Sequence, residues 1–267
     1  IRSGMPCQDH HHIIEKENLI IISVADGHGS KSCPYSDDGS EIAVKTFCEK
    51  IQQLCESYSG KPDEFYLYLY QNGELNFAND IDTEWKRRII HYHRAKERPI
   101  PKDENGNKDH KAVYQLYGTT LLGVMITENL LFAFQIGDGD ICLITEETTE
   151  MIINPEKMLG VETHSLSREN AWEKAIATIR RFNPSDSLPI MITLSTDGMA
   201  NSYKNELEFQ KSLIDYLQMI RTHGLEAVKS NLSEWLNETS AMGSGDDITL
   251  CMAYFDEDHR KDNKINS

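Results

Sequence analysis

The sequence predicts an α/β (α+β) sandwich with antiparallel sheet elements, in one domain spanning residues 1–267. Two observations predict it. Apolar runs of strand length, several bounded by Asp-Gly or Gly-Asp, recur from one end of the chain to the other. Helical stretches are inserted between runs of hairpin-spaced strands, which excludes the regular strand–helix alternation of a Rossmann order. At 267 residues the chain can bury one substantial core.

The elements follow in order. Residues 10–15 and 19–25 read as strands, and Leu19-Ile20-Ile21-Ile22-Ser23-Val24-Ala25 is apolar enough to be buried on both faces. Residues 40–57 read as a helix, with Ile42, Ala43, Phe47, Ile51, Leu54 and Cys55 near helical spacing and Asp37-Asp38-Gly39-Ser40 at its start. A second helix is expected within 74–98, where Leu75, Ala78, Ile81, Trp85, Ile89 and Tyr92 recur three or four apart; Pro99 and Pro101 end it. Residues 99–111 are polar and read as a surface loop. Strands are expected at about 116–127, 130–137, 140–145, 174–182, 189–195 and 248–255, with helices at 203–222 and 225–239 separated by His223-Gly224.

Composition narrows the function. A net charge of -16 argues against nucleic acid or an anionic membrane as the main partner. The six cysteines are scattered without a Cys-x-x-Cys pair, so buried thiols are expected before disulfides or a zinc site. No apolar stretch is long enough to span a bilayer, and no signal peptide is legible. A soluble cytoplasmic protein is the expected reading, although a start at Ile1 without methionine leaves room for residues upstream.

The chemistry gathers at strand ends. Asp26-Gly27-His28-Gly29 closes the first long apolar run, and Thr196-Asp197-Gly198 closes another. Gly137-Asp138-Gly139-Asp140 follows a third, and Gly245-Asp246-Asp247 opens the last. Several convergent carboxylates are how proteins bind hard divalent cations. Without a cation, crowded carboxylates repel and some must protonate. Each motif alone has a plainer reading, because Asp-Gly after a strand is often only a turn.

Taken in order, Gln8-Asp9, Asp26-Gly27-His28-Gly29, Gly118-Thr119-Thr120, Gly137-Asp138-Gly139, Thr196-Asp197-Gly198 and Gly245-Asp246-Asp247 resemble the protein phosphatase 2C family, in its bacterial branch. The resemblance implies a four-layer αββα sandwich, two packed and largely antiparallel sheets flanked by helices. It implies hydrolysis of phosphoserine and phosphothreonine in proteins by a water activated between two divalent cations, Mn²⁺ or Mg²⁺. Asp26 would bridge both metals, the Gly27 carbonyl would ligate one, and Asp197 and Asp246 would complete the other. Asp9 would orient metal-bound water, and His28 would protonate the leaving oxygen. Asp138, with Asp197, would hold a third, weaker metal. A phosphoprotein substrate, a partner Ser/Thr kinase and a monomeric state are the partner expectations.

This sequence departs from the family pattern at three places. The arginine that many members carry five residues before Asp9 is Gly4 here, with Arg2 nearby. Gln8 replaces an acidic residue, and Asp140 stands near a usual arginine, where solvent exposure is expected. His10-His11-His12 cannot converge on one ion from a strand, so an edge strand wetted on one side is the expectation. The basic run through Lys86, Arg87, Arg88, Arg94, Lys96, Arg98 and Lys102 reads as solvated helix charge before it reads as a docking patch. Two rival functions remain. Asp26-Gly27-His28-Gly29-Ser30 superficially resembles the His-Gly motif of subtilisin-like proteases, but a nucleophilic serine in a Gly-Thr-Ser setting is missing, the stretch being Gly118-Thr119-Thr120. A pseudophosphatase scaffold would show eroded ligands, whereas Asp26, Asp197 and Asp246 are all present.

Overall fold

The computed structural model describes residues 7–153, 164–182 and 190–255. Two antiparallel sheets stack face to face. One takes the order β1-β2-β3-β4-β7, from β1 (His10–Lys16), β2 (Leu19–Ala25), β3 (Leu121–Thr127), β4 (Leu130–Ile136) and β7 (Ile176–Arg181). The other takes β6-β5-β8-β9, from β5 (Asp140–Ile144), β6 (Thr149–Met151), β8 (Met191–Ser195) and β9 (Leu250–Tyr254).

Side-chain alternation along the inner strands makes the layers. In β2, Ile21 and Ala25 face a core shared with helices, while Ile22 and Val24 face the second sheet. In β4, Phe132 and Phe134 take the helical side and Leu131 and Ala133 the inter-sheet side. A period of two with apolar residues on both faces is what a doubly covered strand requires. The helical side is closed by α1 (Ser36–Ser57), α2 (Pro62–Asn72), α3 (Ala78–Ala95) and α4 (His110–Gln115). The far side of the second sheet packs Met191 and Cys142 against α6 (Glu206–His223) and α7 (Leu225–Met242). The order of layers is therefore α, β, β, α, as the family resemblance implies.

Several expectations change. The helix expected within 74–98 is α3, but a further helix that the sequence reading missed, α2, precedes it and joins it through a π-helical turn at Gly73–Phe77. Pro62 at the first helical position, with Asp63 and Glu64 behind it, was a legible start signal for α2. The strand at 116–127 begins only at Leu121, since α4 occupies His110–Gln115 under an Asp109 cap. Asp140 is buried, 1% exposed, rather than solvated. It opens β5, an inner strand between β6 and β8, where it pairs with Ser195. The strand expected at 189–195 is β8, and part of the turn before it lies outside the described residues.

Other expectations hold. β1 is an edge strand, with His11 and Ile13 exposed and His10, His12 and Ile14 half-buried. Cys48, Cys142 and Cys251 are buried, and no disulfide links the six cysteines, all of which are among the described residues. The basic run is largely paired: Lys86 with Asp82, Arg87 and Arg88 with Glu84, and Arg98 with Asp38. Among the described residues no helix is long and apolar enough to cross a membrane.

Candidate metal centre

Strand pairing alone brings the sequence-predicted residues to one end of the sandwich. Asp9 precedes β1, whose first residue pairs with Ala25 at the end of β2, and Asp26 follows directly. The start of β3 lies against the end of β2, and Leu121 pairs with Ile136 at the end of β4, just before Asp138. In the second sheet Ser195, at the end of β8, faces both Asp140 at the start of β5 and Leu250 at the start of β9. Asp197 and Asp246 therefore project from neighbouring strand ends. Antiparallel order turns six scattered motifs into one rim.

The backbone at this rim is tightly fixed. The Asp26 carbonyl accepts from Thr119 Oγ1 at 2.8 Å and from Thr120 N–H at 2.9 Å, while Asp26 N–H donates to Thr120 Oγ1 at 2.9 Å. His28 N–H donates to Gly118 O at 3.1 Å. Gly27 has to be glycine, because a Cβ there would lie 2.7 Å from Ser36 O and 2.8 Å from Gln8 O. Gly118-Thr119-Thr120 thus has a definite role, holding the Asp26–His28 turn, which its sequence gave no way to read.

Asp26 is in contact with two other carboxylates. Asp26 shares hydrogen bonds with Asp9 and Asp197, and Thr196 Oγ1 donates to Asp9 Oδ2 at 2.7 Å. Burial pushes Asp26 well above the ordinary carboxylate range, and the charges of Asp9 and Asp197 add to it. Burial likewise raises Asp9; the Thr196 hydroxyl opposes this and the Asp247 charge reinforces it. Asp197 is raised by burial and then by Asp138, with Asp246 contributing. The Asp246-Asp247 pair is split between two tasks: Asp246 acts on Asp197, whereas Asp247 accepts from Gln8 N–H at 3.2 Å and acts on Asp9.

His28 sits half-buried beside this cluster. Burial lowers its pKa, Asp138 pulls it up, and Arg168 pushes it down. Arg168 was absent from the sequence reading. No spacing rule marks an arginine whose charge acts on His28 from between β6 and β7. Gly4 and Arg2 lie outside the described residues.

The residues suit a hard cation. The donors are carboxylate and carbonyl oxygens, and the Cys7 thiol beside Asp9 is pushed up to about 12 by burial and stays protonated. Among the described residues no three acidic, histidine or cysteine side chains already form a metal cage.

Fold and site together define a phosphatase-type αββα sandwich with an acidic rim. A sequence model of the family described as Protein phosphatase 2C matches residues 1–237, and the chain belongs to that family. No curated protein sequence matches it. Among solved structures it is similar to the serine/threonine phosphatase Stp1 from Staphylococcus aureus, at 15% identity and TM-score 0.58, covering 96% of this chain and 91% of that one. It is also similar to the S. agalactiae serine/threonine phosphatase, at 14% identity and TM-score 0.56, covering 96% of each chain. A third similar structure is the catalytic domain of the serine/threonine protein phosphatase PstP in complex with two manganese ions, at 14% identity and TM-score 0.52, covering 94% of this chain and 93% of that one.

Proposed function

We propose that this chain is a working metal-dependent phosphatase that hydrolyses phosphoserine and phosphothreonine in proteins. The observation that carries the proposal is the contact of Asp26 with both Asp9 and Asp197 at one strand-end rim, with His28 two residues on. So many acidic groups crowded together destabilise one another unless a cation or protons compensate them. Asp26, the Gly27 carbonyl, Asp197 and Asp246 would hold two divalent cations, Mn²⁺ or Mg²⁺, and Asp138 with Asp197 a third, weaker one. Bound, these ions would supply Lewis acidity, activating water and neutralising phosphate charge.

The protein's own groups do the rest. Asp9, fixed by Thr196, would accept hydrogen bonds from water and orient it for in-line attack. A ring nitrogen of His28 would deliver a proton to the departing serine or threonine oxygen. Burial makes that proton easy to release, while Asp138 and an incoming phosphate dianion favour loading it. The reading carries with it phosphoprotein substrates, a Ser/Thr kinase acting on the same proteins, and a monomer working in the cytoplasm.

Hydrolysis of p-nitrophenyl phosphate with Mn²⁺ or Mg²⁺ tests it, with EDTA and Asp197→Ala as controls. Turnover should require the cation and fall by orders of magnitude in the variant. Absence of metal-dependent turnover, or full turnover in Asp197→Ala, would leave a phosphoprotein-binding scaffold as the better account.

A further inference from the structure

The link between β4 and β5 carries the chain from one sheet to the other, and Asp138 stands at its centre between Gly137 and Gly139. Two close approaches leave this link little room. A Cβ on Gly137, whose φ is +120°, would meet Thr120 Cβ and Cγ2 at 2.6 Å. A Cβ on Gly139 would meet Ser195 O at 2.4 Å, and Ser195 lies two residues before Asp197. The link is thus wedged between the threonine that accepts from Asp26 N–H and the strand end that delivers Asp197.

Gln135, the last residue but one of β4, ties the link from beneath. Its Nε2 donates to Gly137 O at 3.1 Å and to Gly139 O at 2.7 Å, one carbonyl on each side of Asp138. Both amide protons are used, and two carbonyl acceptors fix which end of the amide faces them. Gln135 is 1% exposed and follows the alternation of Leu131 and Ala133, which face the layer between the sheets. Its Oε1 is buried with no hydrogen-bond partner among the described residues. A buried oxygen without a donor costs stability, and an apolar side chain would fill this layer without that cost. The amide is explained by what its nitrogen holds.

We propose that Gln135 is a positioning residue for Asp138: by bridging the carbonyls of Gly137 and Gly139 it holds that carboxylate at the rim beside Asp197, and binding of the third, weaker cation depends on it. The proposal rests on the phosphatase reading above, in which Asp138 and Asp197 hold that cation. The charge of Asp138 acts on both Asp197 and His28, which sets its carboxylate on the site's side of the link. Groups that orient a metal ligand from behind commonly change metal affinity by about tenfold to a hundredfold when lost.

The test is calorimetric titration of Mn²⁺ into the metal-stripped protein, for wild type, Gln135→Met, Asp138→Asn, the double variant and Leu131→Met. Methionine matches glutamine in length and suits an apolar layer, but it donates nothing. Leu131→Met puts the same side chain on the same face at the other end of β4, as the control. The weakest Mn²⁺ step should weaken about tenfold or more in Gln135→Met, while the tighter steps stay within about threefold of wild type. Asp138→Asn should already lose that weakest step, so that adding Gln135→Met changes nothing further. A merely structural glutamine would weaken every step and add its effect in the Asp138→Asn background. Gln135→Glu, neutral when buried and left with one proton to donate, should lose less than Gln135→Met, and it takes that variant's place if methionine prevents folding. A weakest step within about twofold of wild type in the folded variant overturns the proposal, as does an equal loss in Leu131→Met or an additive effect in the double variant. Wild type that turns over with Mn²⁺ but shows no third, weaker step sinks the Gln135 assignment alone. A weaker step that depends on Gln135, in a protein that never turns over, sinks the catalytic reading alone. Wild type that binds no Mn²⁺ sinks both.

Discussion

Gly198 is the point where the two halves of the proposed metal centre meet, and a single methyl group there should separate them. It follows Asp197 in the short helix α5 (Asp197–Ala200). A Cβ on Gly198 would lie 2.1 Å from Asp247 O and 3.4 Å from Asp246 Cβ. A carbon–oxygen contact normally needs roughly 3.3 Å, so the 246–247 segment must withdraw by about 1 Å. It cannot do so freely, because Ser202 Oγ and Ser244 Oγ both donate to Gly198 O, at 2.7 and 3.1 Å. Overpacking of this kind costs about 1–3 kcal/mol, a loss of roughly 2–10 °C in Tm for a chain of this size. A misplacement of about 1 Å in a reacting geometry costs on the order of a hundredfold. Gly198→Ala should therefore lose metal affinity and turnover far out of proportion to its stability. Calorimetric Mn²⁺ titration beside thermal denaturation reads both. Gly224→Ala serves as control: its φ of +86° makes alanine strained, but nothing lies within 4 Å and it joins α6 to α7 away from the rim. Wild-type Mn²⁺ affinity, within threefold, in a folded Gly198→Ala protein would refute the reasoning.

Three further outcomes are expected. Gly123→Ala should destabilise the fold by about 1–3 kcal/mol in urea denaturation, since its Cβ would meet the buried Phe47 ring at 2.2–2.5 Å; an unchanged midpoint would mean the ring has room to shift. His28→Ala should slow phosphopeptide hydrolysis more than p-nitrophenyl phosphate hydrolysis, whose leaving group needs little protonation; equal losses would remove His28 as the proton donor. Glu84 is pulled down to about 2, by its hydrogen bond to Arg87 first and by Arg88 against burial. A depressed carboxylate stabilises the fold above its ordinary value of about 4.5 and loses that contribution as pH falls through about 2. The stability gap between wild type and Glu84→Gln should thus be full near neutral pH and close between those values; a gap independent of pH would show that the ion pairs contribute little.

The inner strands were legible because burial on both faces writes itself as an unbroken apolar run. Leu19–Ala25 was readable to the residue for that reason. Helix α2 escaped because its apolar face is thin: only Phe65 and Leu69 are buried, with aromatic residues spread around the rest. Asp140 misled because burial of a strand's first residue depends on which neighbours flank it, and strand order is not a local property. The acidic rim was readable as types and order, since each aspartate ends or opens a strand. Its supports were not. Thr119 acts across 93 residues on Asp26, and the charge of Arg168 acts on His28 from a stretch with no motif. Partners of that kind are set by tertiary approach alone.

The clasp between Asp26 and Thr119 also bears on how the protein acquires activity. β2 and β3 are neighbours in the sheet, yet four helices intervene between them in sequence. Bringing such distant ends together costs about 4 kcal/mol of chain entropy beyond the constant for closing any loop, and nothing local repays it before the strands zip. Non-local closure of this sort is slow and comes late in folding. A chain still emerging during synthesis would carry Asp26 long before it carried the threonines that hold it. Cation capture would then mark completion of the sheet, so that partly folded chains would be inert towards phosphoproteins rather than indiscriminate.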